Sequence, residues 1–174
     1  MDISKIILIG PMGAGKSTVG RELARKLQSD FQDTDLLIEN AEGRSISEIF
    51  VEAGEPYFRK IEAEIVKGAI KDLDLAGGVL ALGGGAVINE ATQVALRESS
   101  AKKVFLDISL SAVAPRVGFD SARPLLIVNP RQKWNELMTA RRPIYEELSD
   151  IVIDVSELSV AEVVARITAT VGVA

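Results

Sequence analysis

Cysteine and histidine are both missing from the 174 residues. Disulfide frameworks, thiolate nucleophiles, Cys/His zinc sites and imidazole acid–base catalysis are thereby excluded. A surplus of basic charge is missing too: 20 Lys and Arg stand against 25 Asp and Glu, a formal charge of −5. Nothing draws the chain as a whole to a nucleic acid or an acidic membrane face, so any phosphate recognition has to be local. Long apolar runs are also lacking. Met1-Asp2-Ile3-Ser4-Lys5 leads into a run of only four, Ile6 to Ile9, too short for a signal-peptide core or for a span of about 20 apolar residues. A cytoplasmic protein with no membrane or nucleic-acid partner is the expectation. There is no internal repeat, low-complexity tract or Gly/Ser/Pro-rich linker. What is present is ordinary globular composition, 47% apolar and 26% charged, enough to bury roughly 70% of the unfolded chain's surface. One domain over residues 1–174, acting as a monomer, is expected. Its chemistry has to come from carboxylates, amines, guanidiniums, hydroxyls, phenols and backbone groups.

Short apolar runs alternate with helix-period stretches. Ile6–Ile9, Val79–Leu82, Lys103–Ile108 and Ile151–Val155 are rich in β-branched residues and leucine, as strands buried on both faces are. Ser17–Gln28, Glu55–Asp72, Glu90–Glu98, Pro130–Arg142 and Val160–Val171 are long enough for crossover helices. The alternation predicts an α/β doubly wound sandwich, a central parallel sheet of about five strands flanked by helices, with ligands beyond the carboxyl ends of the strands. Strand patterning lapses at 36–62 and 111–128, where insertions are expected.

Gly10-Pro11-Met12-Gly13-Ala14-Gly15-Lys16-Ser17 fits G-x-x-x-x-G-K-[ST], directly after the first apolar strand and before a helical run. Glycines allow a tight loop whose N–H groups turn inward, and the helix N-terminus adds positive potential for phosphate oxygens. Gly13, Ala14, Gly15, Lys16, Ser17 and Thr18 are the expected ATP contacts, with Lys16 on the β/γ-phosphates and the Ser17 hydroxyl on Mg²⁺. The acceptor is not specified by this motif. A guanine-reading N-K-x-D is absent, because the asparagines at 40, 89, 129 and 135 precede Ala, Glu, Pro and Glu. Asp74-Leu75-Ala76-Gly77 fits the D-x-x-G of GTPase switches but reads as a surface loop. A protein-kinase H-R-D loop is impossible without histidine. A small-molecule kinase is the stronger class. Asp33-Thr34-Asp35 falls where a short second strand would end, and two residues apart on an extended chain both carboxylates face one side. Asp33 can then hold Mg²⁺ or its water, and Asp35 can orient an acceptor hydroxyl and take its proton. A solvated acidic turn is the plainer reading of those three residues on their own.

Taken in order, the P-loop, Asp33-Thr34-Asp35, Gly43-Arg44-Ser45-Ile46-Ser47-Glu48-Ile49-Phe50, Gly54-Glu55-Pro56-Tyr57-Phe58-Arg59-Lys60-Ile61-Glu62, Leu82-Gly83-Gly84-Gly85-Ala86, Arg123-Pro124-Leu125-Leu126 and Arg141-Arg142-Pro143-Ile144-Tyr145 run along nearly the whole chain. With that order and spacing the sequence resembles the shikimate kinases. The resemblance implies ATP- and Mg²⁺-dependent phosphorylation of the 3-hydroxyl of shikimate. It implies that Asp35, Arg59, Gly83, Gly84, Gly85 and Arg141 bind shikimate, with the flat guanidiniums of Arg59 and Arg141 on its carboxylate. On its own stretch alone Arg59 reads as a helix-surface arginine paired with Glu55 or Glu62, and Arg142 could share the role of Arg141. Residues 36–62 become a substrate-binding insertion and 111–128 a lid, whose Arg123 swings onto the ATP phosphates and whose Arg116 packs on adenine. Lys16, Asp35 and Arg123 are the implied catalytic residues, and Ser17 and Asp33 the metal ligands. The family's late basic residue near adenine is missing, since this stretch reads Ser156-Glu157-Leu158-Ser159-Val160. Two rivals remain. One is another small P-loop kinase, for gluconate or a nucleoside monophosphate, and the other is a P-loop module that binds ATP without turning it over.

Overall fold

The computed structural model describes residues 4–117 and 129–172. Five parallel strands form one sheet in the order β2-β3-β1-β4-β5: β1 (Lys5–Ile9), β2 (Phe31–Asp33), β3 (Gly78–Ala81), β4 (Lys102–Asp107) and β5 (Ile151–Asp154). The helices are α1 (Lys16–Leu27), α2 (Thr34–Glu42), α3 (Ile46–Ala76), α4 (Glu90–Glu98), α5 (Leu110–Val117), α6 (Pro130–Leu148) and α7 (Val160–Val171), with a 3₁₀ turn at Ala86–Ile88. The doubly wound sandwich expected from the alternating pattern is the fold observed.

The central strands are apolar throughout because both faces are covered. Ile6 to Ile9 of β1 and Val104 to Leu106 of β4 are all buried, and β3 is buried along its whole length. Full burial of each such aliphatic side chain favours folding by about 1.5–3 kcal/mol. Helix ends follow local chemistry. Ser45 and Glu48 form a capping box at the start of α3, as Ser159 and Glu162 do for α7.

The insertion expected at 36–62 is helical. It is built from α2 and the first part of α3, which a backbone break at Gly54 (φ 83°, ψ 167°) divides in two. Pro56 follows in the first turn after the break, where a missing N–H costs nothing. The helix expected from Glu55 is thus the second segment, and the capped segment before it was hidden by that break. Asp74 and Gly77, expected on a surface loop, are the last turn and C-cap of α3. Asp74 there accepts hydrogen bonds from Ser99 and Ser100, at the strands' amino ends.

Gly10 follows β1 with φ 144°, and a Cβ there would lie 2.5 Å from the Leu106 carbonyl oxygen. Gly10→Ala is expected to lower the thermal midpoint by roughly 5–15 °C through backbone strain and collision. A midpoint within experimental error of wild type in a differential scanning calorimetry trace would contradict that reading of the β1 exit.

Candidate active site

A cleft of about 760 Å³ opens at the carboxyl ends of β1, β2 and β3. The loop after β1 forms one wall. Gly13 (φ 87°) and Gly15 (φ 91°) take conformations that side-chain-bearing residues avoid, so the chain turns tightly into α1. Lys16 is buried, and its ammonium donates to the carbonyls of Gly10 and Pro11, both at 2.8 Å. Trp134 on α6 donates its indole N–H to the Met12 carbonyl at 3.0 Å and fixes the loop from outside. Gly13, Gly15, Lys16, Ser17 and Thr18 line the cleft. Ala14 lies behind it, buried, with its N–H donating to Pro11 O at 3.3 Å.

The aspartate pair sits at the seam. Asp33 ends β2 and caps α2, accepting from Asp35 N at 2.9 Å through Oδ1, while Oδ2 accepts from the Ser17 hydroxyl. Asp35 is therefore in the first helical turn and not on an extended strand, which corrects the geometry expected from spacing alone. Both carboxylates still face the cleft, because the short Asp33 side chain turns back to cap the helix that carries Asp35. Desolvation, then the carboxylates of Asp33 and Glu62, push the Asp35 carboxyl up to about 6, with Lys16 pulling the other way.

The opposite wall carries the arginines. Arg59 on α3 pairs with Glu62 at 2.7 Å and more loosely with Glu55 at 3.4 Å, while still lining the cleft. Arg59 thus makes the pairs with Glu55 and Glu62 expected of a helix-surface arginine and at the same time faces the cleft. Arg141 on α6 is buried and lines the cleft, and its Nε has no hydrogen-bond partner among the described residues. Arg142 points elsewhere, forming two 2.8 Å bonds to Asp107 at the end of β4. Of the two neighbours, only Arg141 is brought to the cleft.

The turn after β3 forms the floor. Gly83 N donates to Thr34 Oγ1 at 3.0 Å, and the Gly84 carbonyl accepts from the Tyr145 hydroxyl. Burial pushes that phenol up to about 12, so it stays protonated and keeps donating. Glu62, Tyr145 and Trp134 also build the site; the first two close motif stretches without a role assigned to them, and Trp134 lies in no motif. Glu62 had a signal in its i, i+3 relation to Arg59. Burial pushes its carboxyl up, opposed by Arg59 and Arg141. Phe58 is buried and packs on Phe50 with ring centroids 4.9 Å apart, and both rings line the cleft beside Arg59.

Arg116 on α5 is exposed and borders the cleft, as does Val160 at the start of α7. The 156–160 stretch therefore reaches the cleft at Val160 with an apolar side chain in place of a basic one. Arg123 lies outside the described residues, as do residues 118–128 of the stretch expected to form a lid. Among the described residues no helix is long and apolar enough to cross a membrane.

Comparison with known proteins points to one family. The family model described as shikimate kinase matches residues 12–172. A shikimate kinase of Streptomyces coelicolor is 46% identical over 153 residues, covering 88% of this chain and 86% of that one. One from Rhodococcus jostii is 44% identical over 166 residues, 95% of this chain and 96% of that. Among solved structures, the Acinetobacter baumannii shikimate kinase in complex with shikimate superposes with a TM-score of 0.88 at 34% identity, covering 98% of this chain and 93% of that one. With the P-loop, the aspartate pair, the glycine turn and two arginines gathered around one cleft, and with relatives this similar over nearly its full length, the chain belongs to the shikimate kinase family.

Proposed function

We propose that the protein transfers the γ-phosphoryl group of ATP to the 3-hydroxyl of shikimate, giving shikimate 3-phosphate, ADP and a proton. The observation that carries this reading is that Asp35 and the guanidiniums of Arg59 and Arg141 line the same cleft as Lys16 and Ser17. A carboxylate-bearing polyol satisfies both sides at once, its carboxylate on the arginines and a ring hydroxyl at Asp35. A nucleoside acceptor brings no carboxylate to the two cleft-lining guanidiniums, which face Glu62 as their shared acidic neighbour, and a binding module has no use for Asp35.

Shikimate's carboxylate would lie between Arg59 and Arg141, and its remaining hydroxyls along the backbone of Gly83 to Gly85. The triphosphate would lie in the loop of residues 13–18, with Lys16 exchanging its two loop carbonyls for phosphate oxygens and Arg116 beside the nucleotide base. The assignment of Arg123 to the phosphates rests on the Arg123-Pro124-Leu125-Leu126 motif. Ser17 and Asp33 fit Mg²⁺: they are hard oxygen donors already hydrogen-bonded to each other, and an ion that keeps waters and takes phosphate oxygens needs no larger protein cage. When bound, the ion supplies positive charge beside the β- and γ-phosphate oxygens.

Phosphoryl transfer is loose, so most of the catalysis lies in positioning and charge. Asp35 accepts a hydrogen bond from the 3-hydroxyl and directs its oxygen toward the γ-phosphorus. It takes the proton late, as the new P–O bond forms. A carboxyl with a pKa near 6 is ionised at neutral pH and more basic than an ordinary aspartate.

Steady-state ADP release that depends on shikimate tests the reading. In the same assay Asp35→Asn is expected to lower kcat by at least about 100-fold while ATP affinity is kept. Wild-type turnover in that variant would remove Asp35 from the chemistry. Arg59→Ala is expected to raise the KM for shikimate by roughly 10–100-fold and leave that for ATP nearly unchanged. Parallel loss of both affinities would indicate a folding defect. The raised Asp35 pKa has a further consequence for stability. Its folded-state value lies above the unfolded one, so the carboxyl destabilises the ligand-free fold fully above about pH 6 and not at all below about pH 4. Asp35→Asn should therefore raise the thermal midpoint at pH 8 by a few degrees, on the order of 2 kcal/mol, with a smaller gain at pH 5. An equal gain at both pH values would contradict this origin.

A further inference from the structure

Arg141 stands at the cleft on α6. It is buried, yet its Nε has no partner among the described residues. Its guanidinium interacts with Tyr145, four residues on along the same helix, and with Glu62, so where it lies depends on how α6 is rotated about its own axis as well as on those neighbours. Neighbouring residues on a helix project about 100° apart, so whatever fixes the direction of Arg142 also fixes that of Arg141. A rotation of about 20° would move the end of an arginine side chain by about 2 Å.

Arg142 is held firmly. Its two terminal nitrogens donate to the two oxygens of Asp107, each at 2.8 Å, and its guanidinium lies over the Phe105 ring, 5.9 Å from the centroid. Glu146 stands 3.7 Å away on the next turn. Phe105 stacks in turn on Tyr145 at 5.0 Å, and Tyr145 is hydrogen-bonded to Gly84 in the floor of the cleft. Helix α6 is thus pinned to the sheet at the end of β4 and to the glycine turn, with Arg141 beside the first of these attachments. Asp107 is well anchored itself, since its carbonyl accepts from Val155 N at 2.8 Å. Two residues on, Ser109 N donates to Ser156 Oγ at 3.0 Å before α5 begins.

The ion pair is partly exposed, with side-chain exposures of 38% for Arg142 and 22% for Asp107. A pair so placed adds little to folding stability. What its fork-to-fork geometry adds is direction. We propose that Arg142 and Asp107 are positioning residues that set the rotation of α6 and so aim the Arg141 guanidinium at the acceptor's carboxylate. The proposal rests on the functional reading given above and deepens it, because neither residue touches the substrate.

The test is a kinetic and calorimetric double-mutant cycle on Asp107→Asn, Arg142→Gln and their combination, with Arg142→Lys as the conservative variant. Each single change is expected to raise the KM for shikimate about 5–20-fold, with kcat and the KM for ATP within about twofold of wild type. The double variant should be no worse than the more affected single one, because both changes break the same pair. Arg142→Lys, which keeps the charge and one hydrogen bond, should fall between wild type and Arg142→Gln. Thermal midpoints should stay within about 3 °C of wild type, as for an exposed pair. An unchanged KM for shikimate in the single variants overturns the proposal. So does a parallel rise in the KM for ATP, a large loss of thermal stability or multiplicative effects in the double variant. Wild-type protein that releases no ADP with shikimate overturns the functional reading along with it, which keeps the two failures apart.

Discussion

A Cβ at Gly83 would lie 2.6 Å from Asp35 Oδ1, and one at Gly85 would lie 2.6 Å from both terminal nitrogens of Arg59. One at Gly84 would come within 3.2 Å of Met12 N in the P-loop. The turn after β3 is therefore a plane against which the carboxylate, the guanidinium and the phosphate-binding loop are all pressed. Any side chain there would push the acceptor groups away from the nucleotide groups. Close approach of charged groups from three separate elements depends on three consecutive residues having no side chain, and the rest of the site is arranged around that floor.

Charges packed so closely affect one another. Asp33, Asp35 and Glu62 repel, and partial burial deepens the cost, so Asp35 is held well above the usual carboxylate range. Arg59 offsets Glu62 through a 2.7 Å pair, and Arg141 adds positive charge from α6. The site is polar, crowded and electrostatically unfavourable in part, which is the usual relation between a reactive centre and the stability of its fold. The apolar strands β1, β3 and β4 beneath it supply the burial that makes the crowding tolerable.

Much of the fold and part of the cleft are legible in the amino-acid sequence. The phosphate loop, the parallel sheet and the aspartate pair can be read from pattern and spacing, whereas Arg59, Gly83 to Gly85 and Arg141 are picked out through the resemblance to the shikimate kinases, and these site residues line one cleft. The parts that escaped depend on contacts distant in sequence. Helix α6 runs on to Leu148 through Pro143, where the sequence pattern suggested a stop at Arg142. Tyr145, three residues beyond, packs on Phe105 and bonds to Gly84, and those contacts repay the helical hydrogen bond that proline cannot make. Arg142 is turned to Asp107, 35 residues away, while Arg141 lines the cleft. Asp35 reached the cleft by a helical turn capped by Asp33, not by strand alternation. The destination was readable, and the route to it was not.

In the proposed arrangement one carboxyl aligns an acceptor hydroxyl beside the phosphate loop while two arginines hold the acceptor's acid group. A crystal structure with ADP and shikimate bound together tests it most directly. The account predicts the shikimate carboxylate on Arg59 and Arg141, and its 3-hydroxyl about 2.6–3.2 Å from an Asp35 oxygen, facing the loop. A shikimate bound with that hydroxyl turned away from Asp35, or with its carboxylate on other residues, would contradict it.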